Sequence, residues 1–283
     1  MLKITIIGHG FVGKAIDYAF QDDVEKQIID PKYDVHLHDV RLSADVTFVC
    51  VPTPMHEHGQ CDVSILQDVL QKIAQRRSGL IVVKSTVPPD QIENLFRGSA
   101  KHRMVYNPEF LTEKNANEDI INPFVHIFGG DNEATEKLER FYKEYSICKP
   151  CPVSRMSATD ASFVKYGINT FLATKLTFFN EFYDAIKNFG GNYGRIANAI
   201  GTDPRIGHSH TRVPGFDGKR GFGGACFPKD VSAFINFTTQ TPLLEYVMDR
   251  NNQYRSEYEK DDREIEQNIQ YDMTGQTAHV NER

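Results

Sequence analysis

Lys3-Ile4-Thr5-Ile6-Ile7 runs without a break into Gly8-His9-Gly10-Phe11-Val12-Gly13, and Lys14-Ala15-Ile16-Asp17-Tyr18-Ala19-Phe20 follows. The first stretch is apolar and β-branched, suited to a strand buried on both faces, and the last reads as a helix. A glycine-rich turn alone is weak evidence. Set between a strand and a helix, with an acid about 20 residues on, it becomes a dinucleotide fingerprint. Asp30, directly after Ile28-Ile29, supplies that acid. In this reading Gly8 permits the tight turn, and Gly10 lets a pyrophosphate reach the helix N-terminus at Phe11 and Val12. Gly13 allows helix and strand to pack closely. A carboxylate at Asp30, with Lys32 just beyond it, bonds ribose hydroxyls and repels a 2′-phosphate, so NAD is the expected cofactor rather than NADP.

Outward from this stretch, strand-like and helix-like segments alternate. Asp45–Val51 is a buried run ended by Pro52-Thr53-Pro54, and helical periodicity follows from Ile65. Leu80–Thr86 is stopped by Pro88-Pro89, Arg103–Tyr106 precedes Asn107-Pro108-Glu109-Phe110, and Val125–Phe128 precedes Gly129-Gly130. Such alternation implies a parallel sheet covered on both sides, with ligands bound beyond the carboxyl ends of its strands. The segments Gly8–Gly13, Val51–Pro54, Ser85–Pro88 and Asn107–Glu113 are therefore expected to line one crevice.

From about Ser154 the pattern changes. Ala158–Asn188 lacks proline and repeats apolar residues at helical spacing, which predicts one helix of ~45 Å. Its apolar face is too wide for a single neighbour to cover and hints at self-association. Shorter helices are expected over Tyr193–Ile200, Phe227–Thr238 and Leu243–Tyr254. The fold class is thus α/β: a Rossmann-like doubly wound parallel sheet over 1–153, then an all-α central domain over 154–254. Residues 255–283 read as an acidic, solvated tail without catalytic content.

Within the helical part lies Gly221-Phe222-Gly223-Gly224-Ala225-Cys226-Phe227-Pro228-Lys229-Asp230. Glycines let a backbone approach a substrate closely. Lys229 favours the thiolate of Cys226, the nucleophilic form, and Asp230 is placed to handle a proton or orient water. The plain alternative is a buried cysteine in a turn. On the long helix, Lys165 and Asn169 are spaced i, i+4, so an ammonium and a carboxamide share one face and form a donor pair for an oxygen gaining charge.

At 283 residues the chain has room for two modest domains, and its 40% hydrophobic and 25% charged content is that of a globular protein. A net charge of −6 without a broad basic face argues against nucleic-acid binding. No apolar run approaches the ~20 residues of a membrane span, and a chain that begins inside a strand leaves no room for a signal peptide. Five cysteines in 283 residues make no disulfide framework, so a cytoplasmic location is expected. Cys148-Lys149-Pro150-Cys151 lacks a second ligand pair at zinc spacing and reads as incidental; no metal is expected.

Taken together, these motifs resemble the UDP-glucose dehydrogenase family of nucleotide-sugar 6-dehydrogenases. The resemblance runs from residue 1 to about 254. It rests on Gly8–Gly13, Val51-Pro52-Thr53-Pro54, Ser85-Thr86-Val87-Pro88, Asn107-Pro108-Glu109-Phe110-Leu111, Lys165 with Asn169, Asp203-Pro204-Arg205-Ile206-Gly207 and Gly221–Asp230. It implies that Cys226 captures an aldehyde and later carries a thioester, with Lys165 and Asn169 holding the sugar oxygen. Asp230 would work with Lys165 through water, Glu109 would be the acid/base of thioester hydrolysis, and Thr86 would position the water. The cofactor side would include Val51, Pro52, Thr53, Thr86, Glu113 near the nicotinamide, and Lys229. The substrate side would include Phe110, Leu111, Phe222, Gly223, Gly224, and Arg205 reaching a substrate in the partner of a homodimer built along the long helix.

Two departures stand out. The family's C-terminal domain, which grips the nucleotide, is expected to be missing. The loop His208–Arg220 is longer and more basic than usual, with Lys219 and Arg220 as candidate phosphate contacts. Two other readings remain: a two-electron β-hydroxyacid-type dehydrogenase, which needs no thiol, and a non-catalytic NAD- or nucleotide-sugar-binding regulatory module.

Overall fold

The structure, a computed structural model, describes residues 1–271 apart from 22, 23, 41, 77, 78, 99 and 239. These residues group into two compact units. The first holds Met1–Thr53 and Asp62–Lys165, and the second holds Pro54–Cys61 and the described chain from Tyr166 onward.

In the first unit seven strands form one sheet: β1 (Leu2–Ile7), β2 (Val24–Ile29), β3 (Val46–Val49), β4 (Leu80–Val83), β5 (Met104–Tyr106), β6 (His126–Gly130) and β7 (Val153–Met156). Their order is β2-β1-β3-β4-β5-β6-β7. The helices α1 (Phe11–Ala19), α2 (Ser64–Ala74), α3 (Pro89–Leu95), α4 (Ala116–Ile121) and α5 (Asn132–Tyr145) connect them. Side-chain alternation shows why both faces are covered. Ile4, Ile6, Phe48, Leu80 and Val82 pack into one apolar cluster, whereas Ile7, Val49, Ile81 and Val83 pack into another. A strand apolar at every position has no face left for water, so helices must cover both sides. The sheet departs from the all-parallel expectation at one place. β5 and β6 pair antiparallel, Val105 opposite Gly130 and Tyr106 opposite Gly129. Apolar periodicity reports burial and carries no information on strand direction.

α6 (Ala158–Asn188) has the bounds expected of the long helix. Its first turns belong to the sheet's core: Ala161 is fully buried there, with Ala158 and Val164 against it. A side chain at Gly129 would meet Ala158 and Ala161 at 2.7 Å, so β6 and this helix touch backbone to backbone. That contact explains why the first unit extends to Lys165, beyond the boundary expected at 153.

The second unit continues α6 and adds α7 (Tyr193–Gly201), α8 (Phe227–Phe237), α9 (Pro242–Arg255) and α10 (Asp262–Glu266). Ala173, Phe222, Val231, Val247 and Met248 form one core, and Phe179, Ile186, Tyr193, Ala197 and Val213 another. A small turn bridged by Met55 and Cys61 also belongs here. The segment after 254 differs from the solvated tail expected of it. Arg255, Glu264, Ile269 and Tyr271 are buried, and α10 starts with a capping box in which Asp261 and Glu264 satisfy each other's backbone. The sparse apolar residues of this segment hid its packing, because its burial is bought with a polar network. Residues 272–283, the rest of the expected tail, lie outside the described residues.

Candidate active site

At the carboxyl ends of β1 and β3 the sheet order reverses direction, with β2 on one side of β1 and β3 on the other. The Gly8–Gly13 turn lies at this switch point, where open α/β sheets bind their ligands. Gly8 has φ +86°, and a Cβ there would sit 2.7 Å from the Cys50 carbonyl oxygen. A Cβ on Gly13 would come within 2.0 Å of the Gly8 carbonyl oxygen. Gly10, by contrast, has nothing within 4 Å of a Cβ, and α1 starts after it with no side-chain cap and no acid in its first turn. Phe11 and Val12 thus open a helix N-terminus that carries no competing carboxylate, the setting in which a pyrophosphate is bound. Asp30 is anchored at the end of β2: its Oδ2 accepts from the His9 N–H at 2.6 Å and its Oδ1 from the Lys32 N–H at 2.8 Å. Ionised carboxylate oxygens keep further acceptor capacity, so these residues fit an adenosine ribose.

The next strand ends adjoin. Thr53 Oγ1 donates to the Thr86 carbonyl at 3.0 Å, and Ser85 Oγ donates to the Val51 carbonyl at 2.6 Å. Val51 and Thr53 are buried, whereas Pro52 and Glu113 are exposed. After β5, Glu109 is buried and held on both oxygens. Its Oε2 accepts from the Leu111 N–H at 2.6 Å and its Oε1 from Lys165 Nζ at 2.9 Å. Lys165 Nζ also donates to the Glu109 carbonyl at 2.6 Å and lies 5.4 Å from the centre of the Phe110 ring. Both members of this ion pair are nearly solvent-free, so each depends on the other for neutralisation.

Behind this pair is a group that sequence reasoning passed over. Lys84 is buried with its Nζ on the neutral Asn107 Oδ1 at 3.0 Å, an oxygen that Tyr142 OH also reaches at 3.1 Å. Burial pulls the Lys84 ammonium down to about 8, against the opposing pull of Cys50 and Glu109. Its β-branched surroundings, Val82-Val83-Lys84, were the available signal: a cation closing a fully buried strand has to be doing something with its charge. Burial likewise raises Cys148 and Cys151, which disfavours their thiolates.

In the second unit, Cys226 is the N-cap of α8, and its carbonyl accepts from the Asp230 N–H at 2.9 Å. The Asp230 carboxylate is almost wholly buried and is shared: Oδ2 accepts from Asn169 Nδ2 and Oδ1 from Lys229 Nζ, both at 2.6 Å. Burial alone would lower the Lys229 pKa, but Asp230 outweighs it, with Cys61 and Cys226 adding to the rise. Lys229 is thus a permanent cation in the first turn after the cysteine. Gly221 and Gly224 carry φ of +72° and +75°, the left-handed conformation that glycine adopts without strain. Phe222 is clamped by Asn251, which accepts its N–H at 2.6 Å and donates to its carbonyl at 2.9 Å.

Three cations named from the sequence are bonded within their own unit. Arg205 is exposed and folded back onto Asp203, with Nη2 to Oδ2 at 2.6 Å. Arg220 is committed to Asp184 and Asn180, and Lys219 to the Glu259 carbonyl, so neither candidate phosphate contact is idle. Arg255 and Glu264, which meet the Gly223-Gly224 backbone, and Tyr271, which donates to Glu264, were missed; the Asp261-x-x-Glu264 capping box was the sequence signal that could have found them.

No helix among the described residues is long and apolar enough to cross a membrane. Comparison with known proteins places these elements. Residues 24–146 match the NAD binding domain of the UDP-glucose/GDP-mannose dehydrogenase family, and residues 159–253 match that family's central domain. A UDP-glucose 6-dehydrogenase of Rickettsia felis is 32% identical over 75% of this chain and 48% of its own length. The UDP-glucose 6-dehydrogenase TuaD of Bacillus subtilis is 29% identical over 89% of this chain and 56% of its own length. A solved UDP-glucose dehydrogenase from Pyrobaculum islandicum superposes with a TM-score of 0.74 at 29% identity, over 89% of this chain and 68% of that one. The chain spans about half the length of these first two relatives. With its sheet unit matching one domain model and its helices the next, the chain belongs to the UDP-glucose/GDP-mannose dehydrogenase family and carries that family's NAD-binding and central domains.

Proposed function

We propose that this protein is an NAD-dependent nucleotide-sugar 6-dehydrogenase that oxidises the C6 primary alcohol of a UDP-sugar, UDP-glucose foremost, to the carboxylate. Family membership supports the reaction class. The observation that carries the reading is Cys226 at the N-terminus of α8, beside a buried Asn169–Asp230–Lys229 network. A helix N-terminus and a fixed neighbouring cation both favour the thiolate.

NAD, when bound, supplies a hydride acceptor. Gly8, Gly10, Phe11, Val12 and Gly13 would hold its pyrophosphate, and Asp30 with Lys32 its adenosine. Val51, Pro52, Thr53, Thr86, Glu113 and Lys229 would shape the rest of its site. Cys226 Sγ adds to the C6 aldehyde, forming a C–S bond while the carbonyl oxygen takes a proton. Lys165 and Asn169 donate to that oxygen while it is anionic. After the second oxidation the sugar is held as a thioester. Water, oriented by Thr86 and deprotonated by Glu109, breaks the C–S bond and returns the thiol. One alcohol, two NAD⁺ and one water give one carboxylate, two NADH and three protons. Phe110, Leu111, Phe222, Gly223 and Gly224 would position the sugar.

We also place two copies along α6, where Phe171 and Phe178 are 66% and 56% exposed, with Arg205 leaving Asp203 to reach the second copy's substrate. Light scattering at working concentration is expected to give a dimer, and a monomer contradicts this assembly.

Counting NADH per UDP-glucose consumed tests the reaction. Two equivalents are expected, and Cys226→Ser is expected to lower uronate formation by at least ~10³-fold with NAD binding intact. One equivalent points instead to a two-electron enzyme that needs no thiol, and undiminished uronate from the variant overturns the role of Cys226.

A further inference from the structure

We propose that Asp261–Tyr271 is a strap that sets the backbone of the loop carrying Cys226, with Glu264 as its positioning residue. The inference rests on the reading of Cys226 as nucleophile. It concerns residues beyond 253, where the match to the family's central domain ends.

Glu264 is fully buried, and its Oε1 gathers three donors: Gly224 N–H at 3.0 Å, Arg255 Nη2 at 2.7 Å and Tyr271 OH at 2.6 Å. Its Oε2 accepts from the Asp261 N–H at 3.0 Å. Gly223 lies directly on this network, since a Cβ there would meet Arg255 Nη2 at 2.0 Å and Glu264 Oε1 at 2.5 Å. A buried carboxylate and guanidinium bring little net stability to a fold, because desolvating both costs about what their attraction returns. Their geometric effect is larger. Glycine-rich backbone loses more conformational freedom on ordering than any other, and here two glycines precede the cysteine by only two and three residues. A carboxylate with every donor in place fixes one of those N–H groups to a rigid point.

The strap is itself anchored. Ile269 and Tyr271 pack on Met55, whose N–H donates to the Gln267 carbonyl at 3.0 Å and whose carbonyl accepts from Asn268 Nδ2 at 2.9 Å. Arg255 Nη1 holds Asp217 at 2.7 Å, which ties the same network to the loop ahead of the glycines.

The test uses the full chain with Glu264→Gln, Tyr271→Phe and, as control, the exposed Glu266→Gln. Three quantities are read: melting temperature, kcat and KM for NADH formation with UDP-glucose, and the pH profile of Cys226 alkylation by iodoacetamide, followed on its peptide by mass spectrometry. Glu264→Gln is expected to lower kcat about tenfold or more with KM for NAD unchanged, as a small misplacement of a reacting group does. It is also expected to displace the alkylation profile. Tyr271→Phe, which keeps the ring packing, is expected to do the same to a smaller degree, and Glu266→Gln to leave all three quantities unchanged. If Glu264→Gln does not fold, Tyr271→Phe decides. A Tyr271→Phe protein with wild-type kcat and alkylation profile overturns the proposal, as does a loss that follows melting temperature alone. If the wild type itself yields no NADH, the functional reading fails and the strap is judged on alkylation alone.

Discussion

The two glycine-rich loops of this protein are built by opposite means. In Gly8–Gly13 the missing side chains make room for nearby backbone: Cys50 against Gly8, and Gly8 against Gly13. In Gly221–Gly224 they make room for polar side chains about 30 to 40 residues further on: Asn251 against Gly221, and Arg255 with Glu264 against Gly223. The first loop is therefore shaped by its own strand–turn–helix unit and its neighbour strand, while the second takes its shape from elsewhere in the chain. The buried lysines differ in the same way. Lys84 in the first unit faces a neutral amide and is pulled down to about 8, whereas Lys229 in the second faces Asp230 and is raised. One unit keeps an ammonium poised to lose its charge, and the other keeps one that will not.

Substitutions can break or sharpen this contrast. Gly13→Ala is expected to cost the most, about 3 kcal/mol of stability, because two backbones must separate; chemical denaturation of the variant measures it. Lys84 comes next. With a folded pKa below its unfolded value of 10.5, the unfolded chain binds more protons between about 8 and 10.5, so this group makes stability rise with pH in that window. Relative to Lys84→Met, the wild type is expected to gain about 2 kcal/mol between pH 8 and about 9.5. A flat difference would mean that Lys84 is not desolvated as described. Gly223→Ala is expected to cost about 1 kcal/mol, since side-chain ends yield more readily than backbone. Gly10→Ala has open space and is expected to change stability by less than about 0.5 kcal/mol. Its effect is expected in NAD affinity, read by calorimetry, because the pyrophosphate needs that space.

How much of this was legible follows the same division. β1, the glycine turn and Asp30 were readable because a strand, a turn and an acid at fixed spacing are local events. α6 was readable to its ends because its apolar periodicity is unbroken from Ala158 to Asn188. β2 was seen only at Ile28-Ile29. Its earlier residues, Lys26 and Gln27, are polar because they bond Asp17 and Thr5 across to neighbouring elements. At the candidate site, Glu109 and Lys165 were named individually, but their ion pair joins residues 56 positions apart and no spacing rule reaches it. The same holds for Asn169 on Asp230 and for Glu264 on Gly224. Polar networks that close over long separations leave no period behind them, so a segment such as 255–271 reads as solvated until its partners are seen.

The central claim is that the sugar is carried covalently on Cys226 and released by Glu109. Intact-protein and peptide mass spectrometry of Glu109→Gln, acid-quenched after mixing with UDP-glucose and NAD, tests it most directly. The account predicts an acyl adduct of the sugar nucleotide confined to the Cys226 peptide, accumulating as NADH appears. NADH formation with an unmodified Cys226, or with the adduct on another residue, would contradict it.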